Sequence, residues 1–144
     1  MTFQLSLDIT APPAEVFEFV ADFTTMPQWY SAVRRVRRVD GTGGPGTRYA
    51  VYRELAGGTA LNDVGITSYA DGEEVTFTSL SGPTPFAYRY HVQPIPGATR
   101  LTLDGTIKAT GLPGPAALLG PLAEGFFKRG MRDNLGTLRR ILER

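Results

Sequence analysis

The order of hydrophobic patterns along this chain restricts the folds that it can adopt. A strand pattern and a short helical pattern come first, strand patterns then fill about seventy residues, and one long helical pattern closes the sequence. An amphipathic helix must bury its apolar stripe, and the concave face of the preceding sheet is the surface that this order offers it. The order therefore predicts a curved sheet that wraps around one long helix. The space between sheet and helix is the predicted functional site.

Strict alternation of apolar and polar residues indicates the strands. Residues 3–9 alternate with the period of a half-buried strand, and residues 86–92 repeat the pattern with aromatic side chains on one face. The other strands are expected at residues 33–40, 48–55, 59–69, 75–80 and around Leu101, Leu103 and Ile107. Because tight turns such as Asp71-Gly72 separate them, we expect sequential antiparallel neighbours.

Proline and helical spacing indicate the helices. Pro12 and Pro13 suit the first turn of a helix, where a missing N–H costs nothing. A second short helix is expected to begin with Thr24 or Thr25 as its cap. The last helix is expected to start within residues 111–115, and Pro121 inside it predicts either a kink or the true start.

Size and composition exclude several classes of protein. The chain has 144 residues, 42% of them hydrophobic, which predicts one globular domain over residues 1–144. A net charge of +1 gives no electrostatic case for a nucleic-acid partner, and no apolar run is long enough for membrane insertion. The absence of cysteine and of a secretory pattern near Met1 leads us to expect a cytoplasmic protein.

Two segments resemble a known family. Residues 9–22 (ITAPPAEVFEFVAD) and 26–29 (MPQW) resemble the opening of the START and birch-pollen-allergen superfamily, whose bacterial members are often named polyketide cyclase/dehydrase or lipid-transport proteins. Residues 97–102 (GATRLT) resemble the penultimate turn and last strand of that family. These motif residues are mostly structural and the ligand differs between members, so the resemblance is specific for fold more than for function.

The resemblance implies an α+β helix-grip fold. Such a fold has a seven-stranded curved antiparallel sheet around a long C-terminal helix, with two short helices after the first strand. The cavity between sheet and helix takes hydrophobic or amphipathic small molecules in other members, and some members catalyse cyclisation or dehydration of polyketide intermediates. The resemblance implies that Trp29 packs under the entrance to this cavity.

Large side chains on the predicted inner faces are candidates for a ligand site or for ordinary core packing, and both interpretations stay open. A row of aromatic rings on one strand is more than packing against a helix usually requires. Tyrosine suits a ligand site because its buried hydroxyl needs a hydrogen-bond partner. The predicted cavity-lining residues are Trp29, Tyr49, Val64, Phe77, Tyr88, Tyr90, Leu122, Phe126 and Met131.

Polar residues inside strands are candidates to orient a ligand. Arg53 shares the predicted face of Tyr49, so it is expected either to meet a ligand carboxylate or to pair with a buried acid. Asn62 and Ser68 are expected to face inward with Val64. His91, the single histidine, is expected to face outward, and no metal site is expected.

Two short motifs are given structural interpretations. The run of four arginines within residues 34–38 is interpreted as a charged edge strand, with contact to an anionic ligand or RNA as the alternative. The glycine-rich residues 41–46 lie between two strands, which favours a turn over a phosphate loop.

The sequence thus predicts a protein that binds a hydrophobic or aromatic small molecule without a cofactor. Trp29 and the loop at residues 81–85 are expected to form the gate. A polyketide cyclase or dehydratase is the first alternative, with a tyrosine or Arg53 polarising a carbonyl. A protein–protein accessory factor is the second, and a homodimer is left open.

Overall fold

The computed structural model describes residues 1–55, 58–108 and 120–144, and for Leu55, residues 120–124 and residue 126 it describes the backbone alone. Seven strands, two α-helices and one 3₁₀ helix form the described part. The strands are β1 (Thr2–Ile9), β2 (Val33–Asp40), β3 (Arg48–Leu55), β4 (Gly58–Ala70), β5 (Glu74–Ser81), β6 (Phe86–Ile95) and β7 (Ala98–Ile107). The helices are α1 (Pro13–Ala21), the 3₁₀ helix (Phe23–Gln28) and α2 (Gly120–Leu142).

All seven strands belong to one antiparallel sheet in the order β1-β7-β6-β5-β4-β3-β2. Consecutive strands pair from β2 to β7, as their short connections predict, and β1 pairs with β7. The helix-grip architecture expected from the sequence is confirmed. β2, with its arginines, is an edge strand of this sheet, and most of its residues are exposed.

The concave face of the sheet forms the core together with α2. The register aligns Leu5, Leu103, Tyr90 and Val75 across four neighbouring strands, and all four side chains are buried. From α2, Met131, Leu135 and Leu138 join the same buried cluster. The strand alternation and the helical spacing in the sequence therefore meet at one surface, as their apolar content requires.

The two short helices begin differently from each other. Pro12 precedes α1 in extended conformation and Pro13 is its first residue, as expected. The prediction that Thr24 or Thr25 caps the second helix is wrong. Asp22 caps it, because its Oδ1 accepts hydrogen bonds from the Thr24 amide at 3.0 Å and from Thr24 Oγ1 at 2.6 Å.

A β-bulge in β4 overturns the expectation for Ser68. Ile66 lies opposite Phe77, but Ser68 lies opposite Thr76, so the strand gains a residue between them. The extra residue turns Ser68 to the outer face, where it is exposed. Asn62 precedes the bulge and stays on the concave face, fully buried.

The described part of the last helix begins at Gly120, which places Pro121 in its first turn. The start expected within residues 111–115 lies outside the described residues. In the part of the chain that the structure describes, no helix combines the length and apolar character needed to cross a membrane.

Candidate functional site

Five aromatic side chains form a ring cluster at the middle of the concave face: Phe23, Trp29, Tyr49, Phe77 and Tyr90. Phe77 contacts Phe23 with ring centroids 4.5 Å apart and Tyr90 with centroids 6.1 Å apart, both edge to face. Trp29 meets Tyr90 at 6.3 Å, nearly perpendicular. These edge-to-face geometries are the favoured ones for aromatic pairs, so the rings are held chiefly by one another.

The ring cluster contains four of the residues predicted to line a cavity. Val64 and Met131 are also buried in the same core. Whether any of the six touches a ligand remains a prediction, because every one of them also packs against protein. For Leu122 and Phe126 the side chains lie outside the described residues.

A polar cluster lies beside the rings and comprises Tyr30, Arg53, Asn62, Thr84 and Tyr88. Arg53 is its hub. The Arg53 Nε donates to Asn62 Oδ1 at 2.9 Å, and Nη2 donates to the Pro83 carbonyl at 2.7 Å and to Thr84 Oγ1. The side chain therefore reaches from β3, across β4, to the loop between β5 and β6.

Asn62 completes the attachment of that loop. Its Nδ2 donates to the Ser81 carbonyl at 3.2 Å and to the Pro83 carbonyl at 2.9 Å. Gly82 permits this close approach: its φ is 107°, and a Cβ there would lie 2.6 Å from Asn62 Nδ2. Thr84 is held with a φ of 52°, an uncommon conformation for threonine that the surrounding hydrogen bonds maintain.

The phenols of the polar cluster are protonated. Burial raises the pKa of Tyr88 well above its ordinary value, and the neighbouring Tyr30 phenol raises it further. Burial also raises the pKa of Tyr30, while a hydrogen bond from Tyr88 lowers it. At neutral pH both are O–H groups, so this part of the interior is rich in donors.

Tyr90 links the two clusters. Its ring belongs to the ring cluster, but its hydroxyl is fully enclosed and has no hydrogen-bond partner among the described residues. Burial, together with the nearby Tyr30, raises the pKa of this phenol well above its ordinary value. An unpaired buried hydroxyl costs about 1–3 kcal/mol, so it is a place where a guest would gain a hydrogen bond.

Tyr30 brings the polar cluster to the surface. It is half-buried, and with Trp29 it lines a groove of about 410 Å³ between the 3₁₀ helix and α2. Asn134 of α2 closes one side of the groove and accepts a hydrogen bond from the Ser31 amide at 3.2 Å. Tyr30 was not among the residues predicted for the site. Its position next to Trp29, just after the 3₁₀ helix that contains Pro27, could have indicated it.

The other candidate motifs lie outside these clusters. The amides of Gly43 and Gly46 donate to Thr47 Oγ1 at 2.9 Å and to the Ile66 carbonyl at 3.0 Å, which leaves them engaged in a turn rather than free for a phosphate. His91 alternates with the buried Tyr90 and Val92 and lies on the outer face. Among the described residues no group of three or more histidine, aspartate or glutamate side chains is arranged to hold a metal ion.

Comparison with known proteins assigns the chain to a family. A family model described as polyketide cyclase / dehydrase and lipid transport matches residues 1–143. No protein with a curated description matches the chain.

Solved structures show the same fold. A START superfamily protein from Mycobacterium smegmatis superposes with a TM-score of 0.81 at 18% identity, covering 99% of this chain and 97% of that one. The protein TTHA0849 from Thermus thermophilus gives 0.77 at 19% identity, covering 97% and 95%. The Zhui aromatase/cyclase from Streptomyces sp. R1128 gives 0.72 at 16% identity, covering 100% and 94%.

Proposed function

This chain belongs to the polyketide cyclase/dehydrase and lipid-transport family, and on that premise we propose that it binds a hydrophobic or aromatic small molecule, lipid-like or polyketide-like, between the concave face and α2. The observation that carries the proposal is the polar cluster with the unpaired Tyr90 hydroxyl, set on an otherwise apolar face. Polar groups that converge in an apolar interior are what a small-molecule site needs for orientation.

Binding would draw on two kinds of contact. Apolar surface of the ligand gains roughly 25 cal/mol for each Å² that it buries against side chains such as Val64, Phe77 and Met131. Arg53 and the phenols then fix its orientation. The groove beside Trp29 and the loop at residues 81–85 form the gate in this proposal, because both adjoin the polar cluster.

A cyclase or dehydratase is the second candidate, and Arg53 is the observation in its favour. A guanidinium beside two phenols can stabilise the oxygen of an enol as it forms. The raised pKa values of Tyr88 and Tyr90, caused chiefly by burial, suit hydrogen-bond donation better than proton abstraction, so we place binding first. Conversion of a poly-β-ketone by the purified protein, followed by mass spectrometry, distinguishes the two.

The remaining sequence-based expectations belong to the same proposal. We propose a cytoplasmic location and no nucleic-acid partner, and a homodimer is compatible with an interior site. Fractionation of producing cells and light scattering of the pure protein test these points.

Two adjacent residues of β4 on opposite faces offer a matched test of the site. Ala60 lies on the concave side with Asn62 and opposite Arg53, whereas Thr59 is exposed. We expect wild-type protein to take up about one equivalent of Nile red. Ala60→Trp should lower that uptake several-fold by filling space beside Arg53, and Thr59→Trp should leave it unchanged.

Native mass spectrometry of freshly purified protein complements the dye experiment, since a co-purifying compound would appear as a discrete mass increment. Cooperative urea unfolding of both variants verifies that they are folded. Equal dye uptake by wild type and both variants would place the dye outside the proposed site and would contradict the proposal.

A further inference from the structure

Arg53 differs from the other arginines of the described chain in a way that points to a ligand. Arg34, Arg48, Arg89 and Arg100 are exposed, and each of them faces a carboxylate. Arg53 is the one described arginine that is not exposed, and it faces none among the described residues. Ordinary folding energetics favour the reverse arrangement, since enclosed charges require partners more than solvated ones do.

The hydrogen bonds of Arg53 leave one end of the guanidinium unused. Nε and Nη2 donate to Asn62, Pro83 and Thr84, whereas Nη1 donates to no described residue. Because three acceptors fix the plane of the group, the two N–H bonds of Nη1 point in a set direction. A donor held in this way binds an acceptor without first losing side-chain freedom.

Phenolic hydroxyls interact with the same side chain. Arg53 interacts electrostatically with the phenols of Tyr30 and Tyr88, and Tyr30 interacts with the unpaired Tyr90. The Tyr90 hydroxyl has no hydrogen-bond partner among the described residues, so it can donate to a guest. Nη1 itself presents two N–H donors on a positively charged group, which is the arrangement that a carboxylate accepts.

We propose that the ligand of this protein is an apolar monocarboxylic acid, bound as its anion with the carboxylate on Arg53 Nη1. This inference rests on the proposed function and narrows it from hydrophobic molecules in general to one chemical class. A single carboxylate neutralises the one charge of the half-buried Arg53, whereas a phosphate monoester with close to two negative charges leaves an excess of negative charge beside an apolar face.

Two probes with nearly the same apolar body test the charge requirement. 2-Naphthoate carries a carboxylate, and 2-acetylnaphthalene carries an uncharged ketone in its place. By equilibrium dialysis at neutral pH we expect wild-type protein to bind 2-naphthoate at least tenfold more tightly. Arg53→Gln should reduce that ratio to about one, and Arg37→Gln, on the exposed edge strand, should keep it.

If Arg53→Gln does not fold, Arg53→Lys replaces it in the binding experiment. It keeps the positive charge but loses the planar fork, so it should retain a preference for 2-naphthoate over the ketone. A wild-type ratio near one, or a ratio unchanged in Arg53→Gln, overturns the inference. So does failure to bind either naphthyl probe while Nile red uptake persists, and in that case the proposed function stands. Loss of both naphthyl binding and Nile red uptake in wild type overturns the proposed function itself.

Discussion

The ring cluster and the polar cluster occupy the same concave face, yet they are held in opposite ways. Rings in the first contact other rings, as Phe77 does with Phe23, Tyr49 and Tyr90. In the second, Arg53 spans three chain segments through hydrogen bonds and keeps Nη1 unused among the described residues. The rings of the first cluster have their contacts within the protein, whereas the second cluster has an N–H donor group unused by the described residues.

This difference separates structural burial from functional burial. Both clusters contain buried tyrosines, so burial alone does not identify a site. What distinguishes them is the supply of partners: a satisfied group contributes to folding, while an unsatisfied buried donor lowers stability until something binds it. Tyr90 has both properties, because its ring is packed and its hydroxyl is unpaired among the described residues.

The largest expected effect is on the ring cluster. Phe77→Ala should lower the free energy of unfolding by about 3–5 kcal/mol, since it removes a fully buried ring that contacts three others. Urea unfolding measures this. Tyr52→Ala on the outer face, where Arg35 stacks on the ring at 4.4 Å, should cost about 1 kcal/mol or less. A similar small cost for Phe77→Ala would show that this ring borders open space.

An intermediate effect is expected where the polar cluster attaches the loop. Asn62→Ala should lower stability by about 2 kcal/mol, because it removes the acceptor of Arg53 Nε and a donor to each of the Ser81 and Pro83 carbonyls. Amide hydrogen exchange in residues 81–86 should accelerate at the same time.

Asp63→Ala is the matched control for the loop experiment. Asp63 accepts a hydrogen bond from Ser81 Oγ at 3.0 Å on the exposed side, so its loss should change stability by about 0.5 kcal/mol or less. If both variants accelerate exchange in the loop equally, the buried attachment is not what holds it.

The smallest expected effect has the opposite sign. Tyr90→Phe removes the unpaired hydroxyl and keeps the ring, so it should raise the stability of the ligand-free protein by about 1 kcal/mol. Tyr88→Phe removes a buried hydroxyl that interacts with the Tyr30 phenol and should lower stability by a similar amount. Thermal or urea unfolding of the two variants measures these changes in stability. A loss of stability in both variants would mean that the Tyr90 hydroxyl already has a hydrogen-bond partner.

The sequence was informative where one periodicity governed a whole segment. The predicted bounds of β2 and β3 match the structure to the residue, and alternation placed Tyr49, Tyr88 and Tyr90 on the inward face. Alternation failed at Ser68, because a bulge changes the face of every later residue and no residue type announces it. The cap at Asp22 was missed because Thr24 and Thr25 are equally good capping residues by type.

The sequence by itself determined the sheet, the helix that covers it and, up to the bulge in β4, the inward sides of the alternating strands, because these depend on local periodicity and on the need to bury apolar surface. Only the tertiary structure decided which of the inward residues have partners. Tyr30, Arg53 and Tyr90 are separated by dozens of positions, and the loop at Thr84 adds a fourth segment. Whether a buried donor has a hydrogen-bond acceptor depends on atoms from distant parts of the chain. The residue spacing along one strand does not predict where those atoms lie.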